Sequence, residues 1–174
     1  MAHGVIRTDL MSGTDVGYDL VSVKFVTDEN VPAEIDNGNV VKLDSLNYED
    51  QREVWKGVAP AKDTPIEDIA IIASVEVVYD ETLATSNNLD KFYNEADKIS
   101  RGYRPHGIYS ATADAFTIAE GYTPAVGATV ELNGTVKPAI VATATTGNTK
   151  LGTLVAIEDA GRYTYYVVQC SPKA

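Results

Sequence analysis

Proton transfer, nucleophilic attack and metal binding draw on a short list of side chains, and apart from carboxylates this chain holds few of them: two histidines and one cysteine. His3 stands near the start of the chain, and His106 follows Arg104-Pro105 in what reads as a surface loop. Neither has a second histidine at metal-ligand spacing, so a transition-metal site would need mostly carboxylates. The single Cys170 rules out an internal disulfide and a cysteine-cluster metal site. Beside Val167 and Val168 it is expected as a small core or edge residue, with a reactive thiol as the alternative. The run from Gly102 to Gly107 lacks the spacing and the lysine of a phosphate loop, and no Gly-x-Ser-x-Gly elbow supports a serine nucleophile. Asp28-Glu29-Asn30 and Asp36-Asn37-Gly38-Asn39 place oxygen ligands in loops without EF-hand spacing, and solvated turns are expected there. The reading is therefore of no catalytic residue, no cofactor and no metal; an enzyme would need carboxylate pairs that folding alone can assemble.

With 174 residues the chain is long enough to bury roughly 70% of its unfolded surface without metals or disulfides. Its 14 basic and 25 acidic side chains give a formal charge of −11, which repels a phosphate backbone unless the basic residues share one face. Lys24, Lys42, Lys56, Lys91, Arg101 and Lys150 are scattered along the chain. Free nucleic acid and anionic membrane are accordingly not expected as partners. The first twenty residues lack a basic region followed by an apolar run, and no stretch approaches about 18 apolar residues. The protein is expected to remain in the cytoplasm or in something assembled there.

Strand patterns dominate. Val21, Val23 and Phe25 alternate with Ser22 and Lys24, Asp36-Asn37-Gly38 is a turn signal, and residues 40–43 and 52–58 continue a sheet. From 69 to 79 the odd positions are apolar throughout, as for a strand with one buried face, while the even ones begin apolar at Ala70 and Ile72 and turn polar at Ser74 and Glu76. Against a competing helix, the β-branched residues favour a strand, read as the central one. Leu89, Phe92, Tyr93, Ala96 and Ile99 recur at helical spacing between an Asn88 cap and Gly102, which predicts a short helix over 89–100. Strand signals return over 107–118 and strengthen around the Asn133-Gly134 hairpin signal, through 136–144 and 151–157 to a closing tyrosine-rich hairpin over 162–169. The predicted fold is mainly β, with antiparallel β-barrel or sandwich modules, one short helix and an extended N-terminal arm. The arm is residues 1–19 and the body 20–174, the latter either one unit or two packed modules, 20–84 and 103–174, joined by a helical segment 85–102. A faint echo links 38–43 and 68–72 with 127–132 and 152–157, which either duplication or the physics common to all antiparallel units can produce.

Two regions are candidates for partner contact. In the arm, Val5, Ile6, Leu10 and Met11 are apolar among glycine and polar residues, and with Arg7 they can anchor a segment that orders on a partner; a frayed terminus is the other reading. In the last hairpin Tyr163 and Tyr165 share one strand face, read as core or barrel wall, and Tyr166 takes the other, read as the contact residue.

The arm, the Asp36-Asn37-Gly38 turn with Val41-Lys42-Leu43, the Arg52-Glu53-Val54 strand, the segment ending Arg101-Gly102-Tyr103 and the closing Gly161-Arg162-Tyr163-Thr164-Tyr165-Tyr166 hairpin together resemble small head proteins of tailed phages, encoded beside the major capsid protein. The resemblance implies a capsid decoration or cement protein on the outside of the head, assembled in the host cytoplasm. Its implied partners are the major capsid protein and, as a homo-oligomer at capsid symmetry axes, itself. It implies no cofactor and no chemistry, and carries over no functional residue. Other readings with the same demands are a head fibre base, a tail tube or an adaptor protein. From a different class comes a carbohydrate-binding β module with Trp55 and exposed tyrosines as stacking platforms.

Overall fold

The computed structural model of the chain describes residues 2–11, 19–76, 82 and 88–170. Strands β1 (Leu20–Phe25), β2 (Val40–Leu46), β3 (Val54–Val58), β4 (Ile69–Ile72) and β5 (Ser100–Tyr103) form a closed barrel in the order β1-β3-β2-β4-β5. Strands β6 (Ile108–Thr112), β7 (Thr117–Ile118), β8 (Thr129–Glu131), β9 (Ala139–Val141), β10 (Lys150–Ala160) and β11 (Tyr163–Cys170) form a sheet in the order β6-β11-β10-β8-β9-β7. The chain is thus mainly β, as its alternating apolar pattern predicts.

The apolar run at β4 has a direct cause. Ala70 and Ile72 point into the barrel beside Val23, Val41 and Leu43, whereas Ile69 and Ile71 pack outward against the second sheet, in one core with Tyr109, Val130, Leu132, Leu154 and Val168. A strand buried on both faces loses its alternation and reads as continuously apolar. The one buried face expected of 69–79 is therefore corrected to two, and the strand ends at Ile72, with 73–76 outside any strand and 77–79 outside the described residues.

The two sheets repeat one plan. In the barrel β1 pairs parallel with β3, and β3-β2, β2-β4 and β4-β5 pair antiparallel. In the second sheet β7 pairs parallel with β9, and β9-β8, β8-β10 and β10-β11 pair antiparallel. Individual hydrogen bonds correspond as well. Gly38 N donates to Ile72 O and Ile72 N to Asn39 O; Gly127 N donates to Leu154 O and Leu154 N to Ala128 O. Val26 N to Gly57 O has its counterpart in Thr117 N to Pro138 O. Gly38 and Gly127 have φ of +83° and +94°, a backbone turn that other residues enter only under strain. The plans part at the closing strand: β5 returns to β1, whereas β11 pairs with β6.

The N-terminal segment is part of this second sheet. Ile6 bridges Ala111 antiparallel, Arg7 N donates to Ser110 O, and Thr112 N donates to Val5 O, so the arm covers the outer edge of β6. The helix predicted over 89–100 is absent. A single 3-10 turn spans Leu89–Lys91, Asn94 exchanges backbone hydrogen bonds with Ile35, and β5 begins at Ser100. The helix-like spacing serves separate contacts instead: Phe92 is buried, Tyr93 stacks on His3, and Ile99 is exposed. The predicted joining segment 85–102 therefore holds no helix among its described residues.

Glu131 in β8 falls at a position whose alternation predicts solvent, yet it is buried. Its Oε2 accepts the Thr145 N–H at 2.8 Å and its Oε1 the Asn148 amide at 2.9 Å, which holds the 144–149 loop on the sheet. Burial pushes this carboxyl up, but the bonds from Thr145 and Asn148 outweigh it and leave the group below the usual 4.5. A lowered folded-state pKa stabilises the fold above the unfolded value, and the contribution is lost as pH falls through the folded one. Glu131→Ala is expected to lower stability by about 1.5–3 kcal/mol at pH 7 through loss of the hydrogen bonds to its charged carboxylate. The deficit should shrink in acid, and urea melts of both proteins from pH 7 to pH 3 would test it; an equal deficit across that range would refute the role of the charge.

Candidate interaction surface

The closing hairpin outruns its neighbours. Strands β10 and β11 stay paired from Gly152↔Cys170 to Ala160↔Tyr163 around a two-residue turn, with Gly161 (φ +68°) in the first central position, as in type II′ turns. β8 accompanies β10 only as far as Thr153, with two further bonds at Leu154, and β6 accompanies β11 only from Tyr165 onward. Residues 155–164 therefore project as a two-stranded ribbon. Ile157 is 40% exposed at its base, followed by exposed Glu158, Asp159, Ala160 and Gly161.

One face of this ribbon is strapped down. Arg162 donates to Asn88 Oδ1 at 2.8 Å and to both Asp90 carboxylate oxygens at 3.2 Å, and the Tyr163 hydroxyl reaches Asp90 at 3.4 Å. The Arg162 guanidinium lies 5.4 Å from the Tyr163 ring centre, the Tyr163 and Tyr165 rings are 6.2 Å apart, and Arg7 sits 5.8 Å from the Tyr165 ring. Arg7 is itself held by both carboxylate oxygens of Asp9. The result is a ladder of arginines and tyrosines that joins the arm, the hairpin and the 88–90 turn, with each cation over a ring face.

The residues singled out in the sequence fall in different places. Val5, Ile6 and Met11 are buried in the chain's own core. Arg7 is half-buried on Tyr165, and Leu10 is 50% exposed. Tyr166 is half-buried and packs edge-on against Phe116 at 6.0 Å on the core side of the sheet. Tyr163 and Tyr165, read as core or wall, belong to the opposite face, where Tyr165 is buried and Tyr163 half-buried. The structure thus brings Arg7 together with Tyr163 and Tyr165, while Val5, Ile6, Met11 and Tyr166 serve internal packing and Leu10 stays exposed. The hairpin's outer edge, unpaired among the described residues, went unread in the sequence, although the strong pairing of 151–157 with 162–169 beside short neighbouring strands is its signal.

The groups with chemical potential are engaged internally. His3 Nδ1 meets Asp36 Oδ1 at 2.6 Å and its ring stacks on Tyr93, so the first residues of the arm are clamped to the barrel. His106 Nδ1 lies 2.8 Å from Oδ1 of the buried Asp19. Asp36-Asn37-Gly38-Asn39 is not a solvated turn, since Asn37 and Asn39 are both buried. Trp55 is half-buried against the barrel core. Among the described residues no three His, Cys, Asp or Glu side chains gather as metal ligands would, and no helix is long and apolar enough to cross a membrane. No protein family, curated protein or solved structure matches the chain.

Cys170 points into the core between the sheets, and burial pushes its thiol up to about 12. The thiolate is the reactive form, so the native protein is expected to resist alkylation by iodoacetamide at pH 8 and to react once unfolded in guanidinium. Modification of the native protein at the rate of a free thiol would contradict this placement.

Proposed function

We propose that the chain is a non-catalytic structural protein of a tailed-phage virion, which binds the outer surface of the head through the major capsid protein and stabilises the shell. The observation that carries this reading is the projecting ribbon 155–164, whose exposed length adds nothing to the chain's own core and offers a neighbour both an apolar residue and an open sheet edge. Two further features support it. The acidic charge of −11 suits a surface that faces water and not packaged genome. The two sheets share one core, a body able to transmit load between subunits. Many such contacts around a shell add through multivalency even where each is weak.

The test is to add purified protein to expanded heads that lack it. Co-sedimentation with the shells and protection of the shells against thermal rupture are expected. A shortened hairpin, in which an Asn-Gly turn replaces residues 159–164, gives up the Arg162 and Tyr163 strap to Asn88 and Asp90 but keeps the shared core, and should stay folded while it binds at least about tenfold more weakly. Full-length protein that stays in the supernatant would sink the reading.

A further inference from the structure

The two modules differ at one point that bears on what the ribbon binds. In the barrel, the edge beyond Ile72 is closed by a side chain: Asn37 Oδ1 accepts the Ser74 N–H at 3.0 Å and Asn37 Nδ2 donates to Ser74 O at 2.9 Å. A single buried amide there does the work of a neighbouring strand. Because Gly127 matches Gly38 and Leu154 matches Ile72 in their hydrogen bonds, the residue in Asn37's place is Val126. Val126 is 64% exposed and has no polar atom in its side chain. Along 155–160 no backbone hydrogen bond to anything but β11 occurs among the described residues. The second module lacks the amide that covers this edge in the first, and its strand runs on for several residues beyond that point.

We propose that this outer edge of β10, residues 155–160, docks an extended basic segment of a partner protein, which joins the sheet as a further strand. The proposal rests on the assembly reading and gives it a contact site and a partner chemistry. An unpaired strand edge is a template for strand addition, with affinity from the main chain and specificity from alternate side chains. The side chains here define the alternation. Ile157, opposite Tyr166, presents an apolar group on one face, and Glu158, opposite Tyr165, a carboxylate on the other. Asp159 adds a second exposed negative charge. The nearest cations are already engaged, Arg162 by Asn88 and Asp90 and Arg7 by Asp9. A second copy of this chain would set Glu158 and Asp159 against their own kind. A strand with apolar residues toward Ile157 and lysine or arginine toward Glu158 meets both demands.

The full chain, a short peptide that alternates valine and lysine, and the same peptide with alternate backbone nitrogens methylated test this. The unmodified peptide is expected to slow hydrogen exchange at the amides of 155–160. The methylated one, with unchanged charge but no donors on one edge, should not. Val126→Asn, which restores the covering amide, and Glu158→Lys should each weaken peptide binding about tenfold, the effect of losing one to two hydrogen bonds or a charge pair. Equal binding of the two peptides, or protection elsewhere in the sheet, would overturn the proposal. So would dimerisation of the wild type that Val126→Asn abolishes, which would assign the edge to a second copy. If Val126→Asn protein binds heads as well as wild type, the docking edge is refuted and decoration stands; failure of the wild type to bind heads refutes decoration itself.

Discussion

Removal of residues 2–11 is expected to destabilise the protein by about 5–8 kcal/mol, an effect large enough to unfold a domain of ordinary stability. Val5, Ile6 and Met11 are each at most 6% exposed, and full burial of such side chains contributes about 1.5–3 kcal/mol apiece. The segment also gives β6 its outer neighbour, through Arg7 N to Ser110 O, Thr112 N to Val5 O, and Val5 N to the Thr112 hydroxyl at 3.0 Å. Its deletion would leave that edge unpaired above an opened core. Guanidinium denaturation of the truncated chain, beside the milder Ile6→Ala with an expected loss of about 2–5 kcal/mol, measures the effect. A truncated protein with an unchanged midpoint would show that the arm is an appendage after all. Loss of head binding on truncation would, by the same argument, report unfolding and not a missing anchor.

The arm also shows where sequence reading stops. Four apolar residues among glycines and polar groups are equally suited to a partner's groove and to an edge strand of the same molecule, and nothing local decides between them. The ordinary strands were legible because period-two alternation is a local consequence of one buried face. β4 was legible as a strand but with one buried face, and that both faces are buried, by the barrel on one side and the second sheet on the other, only the packing shows. The segment 89–99 misled because its apolar spacing is helical by coincidence: Phe92, Tyr93 and Ile99 meet three different environments, and the Asn94 backbone groups pair with Ile35. The tyrosines could have been placed. Cys170 was read as a core or edge residue, and counting back by two from it puts Val168 and Tyr166 on the core face and Tyr165 and Tyr163 on the other, as the structure has them. The repeat of one strand order was visible only as a faint echo, because what the two modules share is a positive-φ glycine and a hydrogen-bond pattern while most side chains differ.

Asn37 is the clearest case of a residue whose role no local pattern carries, and Asn37→Ala is expected to cost about 3–5 kcal/mol. The estimate follows from the groups left behind: the Ser74 N–H and C=O and one bond to the Asn94 amide, at about 1–3 kcal/mol for each buried polar group stranded. Asn37→Asp separates the two halves of the amide. The acceptor for Ser74 and Asn94 survives, but the donor to Ser74 O is gone, and a new carboxylate faces Glu76, to whose Oε1 the Asn37 amide donates at 3.4 Å. Burial already raises the Glu76 carboxyl above its usual 4.5, and the bond from Asn37 lowers it. In Asn37→Asp that bond becomes a repulsion, so the Glu76 pKa rises further and one proton is shared between two acids. A folded-state acid pKa above the unfolded one means that the native state binds more protons, so stability grows as pH falls through that window. Asn37→Asp should therefore be markedly less stable than wild type at pH 7 and recover much of the difference as pH falls toward the ordinary carboxylate range. Asn37→Ala, which lacks the second acid, should show little such recovery. Parallel pH profiles for the two variants would mean that the Asn37–Glu76 contact is not formed in solution, and that the amide acts on Ser74 and Asn94 alone.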